Sequence, residues 1–215
     1  EEGYLMLDNL TPEQIDNLIA AGTGLIGAVV GAGATLLSTW LTKKLQTSGK
    51  VSLFAKIVHL PTGDHRTWGY YPCEKKQGLY MMVPLWLDVC NTSGIPRILR
   101  NVNLSAYSDK KEIAPFTQMQ RSGDGEKAVL FGEQESYTLV IPANSAKRFD
   151  LVFMLHEAEL MSGEKDFDKL ILTYFDEKNQ IHAFHLAAIE RCWVRGSLPK
   201  PKEWIALSRR CRYAR

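Results

Sequence analysis

Basic side chains are missing from the front of the chain. Residues 1–42 contain no lysine or arginine and five acids, whereas residues 191–215 contain eight basic residues and one acid. The formal net charge of all 215 residues is only +2, which argues against a protein that binds nucleic acid through its overall charge. The charges instead divide the chain into an acidic front and a basic end.

Cysteine is also scarce. The four cysteines, Cys73, Cys90, Cys192 and Cys211, are widely spaced, and no two of them form a C-x-x-C pair. This excludes the disulfide-dense class of small secreted domains and favours a reducing compartment.

Catalytic motifs are missing as well. The sequence contains no G-x-S-x-G, no H-E-x-x-H and no phosphate-binding G-x-x-x-x-G-K-[ST]. His182 and His185 are three residues apart in a predicted strand, which places them on opposite faces and disfavours a shared metal ion. We therefore expect a protein that is not an enzyme and that has no cofactor and no metal site.

Residues 22–27, "GTGLIG", match the dinucleotide-binding pattern G-x-G-x-x-G. That function requires a strand before the glycines and an acid about twenty residues after them. A helix start precedes them instead, with Thr11 as N-cap, Pro12 in the first turn and Gln14 completing a capping box. The next acid after the glycines is Asp64. The context excludes nucleotide binding at this motif.

The same region fits a membrane span. Residues 18–41 contain no ionisable side chain, and 24 helical residues extend about 36 Å, more than a hydrocarbon core of about 30 Å. Trp40, Lys43 and Lys44 follow the pattern of a membrane interface. We predict an N-terminal segment at residues 1–10 and a long helix over 11–47 with a transmembrane span at 18–41. A helix buried in a soluble assembly is the alternative.

Small residues follow one face of this helix at alternating steps of four and three. They are Ala20, Gly24, Gly27, Gly31, Ala34 and Ser38. Such a face lets two helices approach closely in lipid, and the G-x-x-x-G at its centre is the pattern of a glycine zipper. We expect a homo-oligomer that forms through this helix–helix interface.

Flanking charge predicts the orientation of the span. The lysines that follow it within residues 43–50 favour the cytoplasmic side, whereas the N-terminal segment is acidic. The predicted localisation is a single-pass membrane protein with its main domain in the cytoplasm. N-x-S/T triplets at Asn9, Asn91 and Asn103 are short enough to arise by chance and do not outweigh the charges.

Beyond residue 47 the hydrophobic period changes from helical to two. Predicted strands are separated by turn residues, and they cover 51–60, 79–89, 98–107, 128–131, 136–141, 147–155, 169–175 and 181–189. No long helical pattern lies between them. The fold class is therefore mainly β with one long N-terminal helix, and residues 48–198 form an antiparallel β-sandwich.

Residues 83–107, "VPLWLDVCNTSGIPRILRNVNLSAY", contain two of these strands joined by a Gly-Pro turn. This segment resembles adjacent strands of immunoglobulin-like modules. The resemblance implies an immunoglobulin-like architecture without the Cys-Trp-Cys spacing of a true immunoglobulin domain.

The basic C-terminal tail covers residues 199–215. The stretch "EWIALSRRCRYAR" predicts a short helix with Trp204 on its apolar side and Arg209, Arg210 and Arg212 at its end. Three uses are open: docking on the sandwich, contact with anionic lipid or a protein partner, and contact with nucleic acid. Nucleic acid is the least favoured because no stacking motif or other basic repeat accompanies the tail.

These features together predict a single-pass, membrane-anchored binding or scaffold protein. Its helix self-associates in the lipid bilayer, and its β-sandwich recognises an unidentified protein partner through a surface or an edge strand. The alternative is an oligomeric, pore-forming protein whose sandwich controls assembly.

Overall fold

The structure is a computed structural model that describes residues 11–59, 67–73, 77–122, 125–129, 137–160, 165–199 and 203–208. Contacts divide the chain into two compact units, Glu1–Ser48 and Gly49–Arg215. Each unit has its own architecture.

The first unit consists of one long helix, α1 (Pro12–Thr47). The Thr11 backbone N–H donates to Oε1 of Gln14 at 3.0 Å, which satisfies one N-terminal donor, and a proline occupies the first turn. None of the 36 helical residues is buried. Within the described residues α1 is the one helix long and apolar enough to cross a membrane.

The second unit is built from antiparallel strands, which confirms the predicted class of a β domain after a long apolar helix. The described strands are β1 (Val51–Ile57), β2 (Gly69–Pro72), β3 (Leu79–Asn91), β4 (Arg97–Ser108), β5 (Lys111–Pro115), β6 (Thr117–Ser122), β7 (Gly125–Val129), β8 (Leu139–Ile141), β9 (Ser145–His156), β10 (Lys169–Phe175), β11 (Ile181–Ala188), β12 (Gly196–Ser197) and β13 (Ile205–Ala206). One 3-10 turn, Glu157–Glu159, follows β9.

Two sheets contain these strands. Among the described residues the larger sheet has eight strands in the order β12-β2-β3-β9-β6-β7, with β1 beside the second half of β3 and β13 beside β1. The smaller has five strands in the order β11-β10-β4-β5, with β8 beside the start of β4. Strand β3 lies inside the larger sheet, because β9 pairs with it from Tyr80 to Asn91 on one side and β2 and β1 pair with it on the other.

One continuous hydrophobic cluster contains side chains from both sheets. Its fully buried members include Leu85, Leu87 and Phe153 from the larger sheet and Leu104, Leu170 and Leu172 from the smaller sheet. The period-two pattern of the sequence places these residues on the inner faces, and their removal from water is the main stabilising contribution to this unit.

The inward face of β4 differs from the prediction at one position. The sequence pattern places Ile98 inward together with Val102, but Ile98 is 37% exposed and Leu99 is buried instead. The backbone of Asn101 is left-handed, with φ at 49°, and the pairing with β10 shifts register at this point. An extra residue exchanges the two faces of the strand, so simple alternation fails here.

The predicted C-terminal helix is wrong for the residues that the structure describes. Ile205 and Ala206 form β13 instead, paired antiparallel with Ala55 and Phe54 of β1. The free edge of β1 supplies hydrogen-bond partners that override the weak helical pattern of a short segment.

The β domain is tightly packed around Gly49, its first residue, and we call this region the root of the domain. A Cβ atom added to Gly49 would lie 2.4 Å from the Cα atom of Ser93, so glycine permits a close backbone approach here. Nearby Asn91 is 1% exposed, and its side-chain amide donates to the carbonyl oxygens of Ile95 (2.8 Å) and Pro142 (2.9 Å). This asparagine is a buried structural corner, so its triplet gives no information about orientation.

Candidate membrane and interaction surfaces

The polar groups of the apolar helix are bonded within the helix itself. Residues 18–41 contain four hydroxyl side chains, and each donates a hydrogen bond to a carbonyl oxygen three or four residues earlier. They are Thr23, Thr35, Ser38 and Thr39. Unsatisfied donors are costly in hydrocarbon, so this arrangement suits a lipid environment.

The glycines of the small-residue face have open space beside them. A Cβ atom added to Gly24, Gly27 or Gly31 would meet no described atom within 4 Å. Bulky side chains such as Leu25 and Val29 are 70% and 65% exposed on another side of the helix. The face that also includes Ala20, Ala34 and Ser38 is therefore shallow, but its role as a helix–helix interface stays a prediction.

The end of the predicted span has an aromatic and cationic pair. The Nζ atom of Lys44 lies 4.8 Å from the centroid of the Trp40 ring. Such a pair combines an amphipathic ring with a cation that reaches water or headgroups. Lys43 precedes it, as the predicted membrane interface requires.

Two tryptophans and two cations form a cluster on the outer face of the larger sheet, which we call the Trp204 cluster. Its members are Lys56, Trp86, Arg148 and Trp204. Each cation contacts both rings, at 5.9 and 5.8 Å for the lysine and 5.3 and 5.1 Å for the arginine. Contacts of this kind contribute about 0.5–1 kcal/mol each at exposed sites. The cluster fixes Trp204 against the β domain.

Strand register explains the cluster. Lys56 lies opposite Trp86 in the β1–β3 pair, and Arg148 lies opposite Asp88 in the β3–β9 pair. The guanidinium donates two hydrogen bonds to Asp88, at 2.7 and 2.9 Å, and this bonding holds the pKa of that carboxyl below its ordinary value. The bidentate contact orients the arginine so that its plane is available to the two rings.

The structure describes only some of the residues predicted to make contacts in the tail. Trp204 is half-buried in the cluster, and Leu207 is buried in the main core. Arg209, Arg210 and Arg212 lie outside the described residues. Residues 203–208 of the tail are therefore docked on the β domain.

Strand β11 has a long free edge. Seven of its eight residues pair with β10, and the described residues place no strand on its other side. It carries no lysine, arginine, acid or proline. Other terminal strands are very short or carry charges, as in Lys111 and Glu112 of β5. Charged or interrupted edges prevent unwanted strand pairing, so β11 is the least protected of the described edges.

The β10–β11 hairpin contains an acid–histidine pair. The Asp176 carboxylate accepts from the backbone N–H groups of Lys178 (2.9 Å) and Gln180 (2.8 Å) and lies 2.8 Å from Nε2 of His182. Burial raises the pKa of Asp176, but hydrogen bonds from His182 and from the two backbone donors outweigh burial and hold it below its ordinary value. The carboxylate closes the turn and orients a buried ring that stacks on Tyr174.

The surroundings of the Cys192 thiol argue against a nucleophile at this position. Burial raises the pKa of this thiol, and its Sγ donates to the carbonyl oxygen of Phe167 at 2.9 Å. A thiol with a raised pKa is weakly ionised at neutral pH and reacts slowly. The neighbouring Tyr70 is fully buried, which raises its pKa as well.

Metal-binding geometry was predicted to be absent at His182 and His185, and the two side chains lie on opposite faces of β11, one buried and the other exposed. In the described part of the chain no three His, Cys, Asp or Glu residues are grouped to hold a metal ion.

An open cleft of about 390 Å³ is lined by Trp68, Ile189, Arg191 and Leu198 among others.

Sequence reasoning missed the Trp204 cluster. Its four members are far apart in the chain, and no local spacing connects them. The sequence pattern placed Trp204 on the apolar side of a short helix, and it gave no indication of contact with the other three residues. Pairing of β13 with β1 brings the members together.

Models of known protein families give no match to this chain, and curated proteins give none either.

Proposed function

We propose that this chain is a single-pass, membrane-anchored binding protein with a cytoplasmic β domain. The observation that carries the proposal is the helix itself. It contains 24 consecutive residues without an ionisable side chain, no residue of it is buried, and the hydroxyl groups in that stretch are bonded internally. Lys43 and Lys44 at its C-terminal end support placement of the following domain in the cytoplasm.

The helix also provides the means of self-association. The open face at Gly24, Gly27 and Gly31 supports a close helix–helix contact of the glycine-zipper type, in which backbone and small side chains pack at short distance. A homo-oligomer would place several β domains together beneath the bilayer.

We further propose that the two sheets form a β-sandwich with an immunoglobulin-like arrangement. The support is one hydrophobic cluster with members from both sheets, together with antiparallel pairing throughout. Such a sandwich has free edges at its sides.

The edge of β11 is the proposed site for the protein partner. Alternate residues of this eight-residue strand direct their backbone N–H and C=O groups outward, and the strand carries no lysine, arginine or acid that would repel an added strand. An extended segment of a partner would bind by main-chain hydrogen bonds, as in other cases of strand addition.

Membrane partition tests the anchor. The full chain is expected to remain with membranes after carbonate extraction, whereas a shortened chain beginning at Ser48 is expected to stay soluble and folded. Detergent should release the full chain as a defined oligomer. A full chain that is soluble and monodisperse would instead make residues 18–41 a buried helix of a soluble assembly. Release of a trapped dye from vesicles would favour the pore-forming alternative.

Lysine substitutions test the edge. Ile181→Lys with His185→Lys adds charge at exposed positions of β11 and is expected to abolish partner cross-linking in native membranes. Val140→Lys with Val194→Lys adds the same charge at exposed positions elsewhere and should leave cross-linking intact. Equal loss with both pairs would contradict a site on β11.

A further inference from the structure

The edge of β1 is covered by a very short segment of chain, residues 204–207, which we call the edge segment. Strand β1 has seven residues, and β13 pairs with two of them, Phe54 and Ala55. Just beyond β13, Leu207 donates its backbone N–H to the carbonyl oxygen of Leu53 at 2.9 Å. Segments with so few backbone hydrogen bonds open at a low free-energy cost. Backbone pairing alone therefore holds the edge segment only weakly.

Side chains at the two ends of the edge segment supply further contacts. The ring centroid of Trp204 lies 5.8 Å from Nζ of Lys56 and 5.1 Å from Cζ of Arg148. Three residues later, Leu207 is 6% exposed and belongs to the main hydrophobic cluster. The edge of β1 thus binds an extended segment that has a tryptophan and a leucine three residues apart, in the manner of strand addition.

The edge segment is joined to the rest of the β domain by the sequence "PKPKE", residues 199–203. The start of this connection is held by Trp68. Its carbonyl oxygen accepts from the backbone N–H of Leu198 at 3.1 Å, and its indole N–H donates to the carbonyl oxygen of Pro199 at 3.0 Å. Five residue steps lead from Pro199 to Trp204, and they can extend at most about 18 Å. Because adjacent strands are about 4.8 Å apart, the connection is long enough to bring the edge segment to a neighbouring domain.

Every contact of the edge segment is also available between two copies of the chain. Each copy carries both the segment and the edge of β1 with Lys56 and Arg148, so an exchange replaces each contact by an identical one. Exchange of an identical element is a low-cost route to assembly. A helix oligomer holds several β domains at one bilayer, which raises the effective concentration of a second copy's segment.

We propose that, in the oligomer, the edge of β1 in one copy binds residues 204–207 of a second copy. This inference rests on the proposed self-association through α1 and adds a contact between β domains. In the exchanged arrangement, Trp204 of the donor copy lies on Lys56 and Arg148 of the acceptor copy, and Leu207 of the donor enters the acceptor's hydrophobic cluster.

A pair of cysteines detects the exchange in the full chain. Because Leu207 is hydrogen-bonded to Leu53, the adjacent pair of Phe54 and Ala206 is a non-hydrogen-bonded pair. The Cα atoms of such a pair are about 4.5 Å apart, which allows a disulfide. Chains with Phe54→Cys are mixed in detergent with chains that carry Ala206→Cys, and the mixture is reconstituted into vesicles. After mild oxidation, mass spectrometry measures the peptide that joins positions 54 and 206, which arises only between copies.

Val140→Cys mixed with Ala206→Cys is the matched control. Val140 is 52% exposed, but it lies on β8 of the smaller sheet and has no register with β13. We expect the yield of the 54–206 peptide to exceed that of the 140–206 peptide about tenfold, because a disulfide requires close Cα atoms. Equal yields would show random collision and overturn the inference.

Trp204→Ala is expected to have opposite effects in the two copies. In the donor copy, it removes both cation contacts of the exchanged segment, while the acceptor's own segment keeps its tryptophan and competes for β1. The yield should then fall about fivefold. In the acceptor copy, the substitution weakens the competing segment, and the yield should rise about twofold. A merely structural role would lower the yield in both cases, so a fall in both overturns the inference.

The double variant Phe54→Cys with Ala206→Cys separates failure of the inference from failure of the oligomer. If this chain links within one copy and the mixed single variants do not link, the edge segment stays on its own domain and the inference is overturned. The size of the detergent-released protein tests self-association independently, and a monomer there overturns the proposed oligomer as well.

A synthetic peptide tests the specificity of the edge. Excess "KEWIALS", residues 202–208, should lower the yield of the 54–206 peptide about fivefold, because it competes for the edge of β1. The same peptide with alanine in place of the tryptophan should leave the yield unchanged. Equal inhibition by both peptides would overturn recognition of the tryptophan and with it the inference.

Discussion

Glycines have opposite surroundings in the two units of this chain. In the helix, a Cβ atom at Gly27 or Gly31 would meet no described atom within 4 Å. In the β domain, a Cβ atom at Gly49 would lie 2.4 Å from the Cα of Ser93, and one at Gly69 would lie 2.4 Å from the carbonyl oxygen of Gly196. At Gly49 and Gly69 the β domain fills the space beside the glycine, whereas the helix leaves it open at Gly27 and Gly31.

The difference distinguishes glycines that are already packed against other parts of the chain from glycines that have no such packing partner. The interior of a folded domain has few gaps, so a glycine in close contact with other backbone atoms lies in a fully packed region. None of the 36 residues of the helix is buried. For an isolated protein in water, such exposure of a strongly apolar segment is unfavourable. Under the proposed function, lipid and a second copy of the helix supply its remaining contacts.

The largest effect is expected from the core of the β domain. Phe153 is fully buried and packs edge-on against Tyr137, with ring centroids 5.5 Å apart. Phe153→Ala should reduce the free energy of unfolding by about 3–5 kcal/mol because it leaves a cavity. Denaturant titration measures this change. Leu36→Ala is the control, because Leu36 is a helix residue that is 72% exposed. An effect of similar size there would contradict the expected difference between the two units.

Gly49→Ala sharpens the comparison between glycines. The added methyl group would overlap the backbone of Ser93, so one of the two segments must move. We expect a loss of about 1–3 kcal/mol in the unfolding free energy of the β domain, as for other overpacked sites. Gly27→Ala introduces the same group into open space and should leave the midpoint of β-domain unfolding unchanged. Equal midpoints for both variants would contradict the close approach at the root of the domain.

A pH effect is expected from the β10–β11 hairpin. The pKa of Asp176 is below its ordinary value in the folded chain, so its ionised form stabilises the fold above the unfolded pKa, and this contribution is lost as pH falls through the folded pKa. Asp176→Asn should therefore destabilise the β domain at neutral pH by about 1–2 kcal/mol. The gap between the two unfolding free energies should close in strong acid. A gap that is constant with pH would assign the effect to something other than ionisation.

The strands of the β domain were largely predictable because their side chains alternate and turn residues separate them. Strand β10 covers 169–175 as predicted, and the turn at Asp176 joins it to β11. The alternation of side chains was insufficient in β4, where one extra residue changes which side chains face inward. The left-handed backbone at Asn101 exchanges the faces of β4, and no composition signal distinguishes this asparagine from one in an ordinary strand.

The tail was beyond sequence reasoning for a different reason. Two-residue strands such as β12 and β13 have no period to detect. Their conformation depends on distant partners, here the free edge of β1 and the rings and cations of the Trp204 cluster. Tertiary contacts decide the structure of segments whose own propensities are weak.

The smallest effect concerns the helix face itself. Gly31→Leu should weaken self-association because a bulky side chain separates the two backbones, and the loss of about ten atom contacts at about 0.1–0.2 kcal/mol each amounts to about 1–2 kcal/mol, or roughly fivefold to thirtyfold in the dissociation constant. Val29→Leu adds bulk on the opposite side and is the control. Energy transfer between labelled chains in vesicles measures both. Equal weakening by both variants would mean that the small-residue face is not the contact, while loss of association in Gly31→Leu alone would show that the open glycines of the helix are completed by a second copy of the chain.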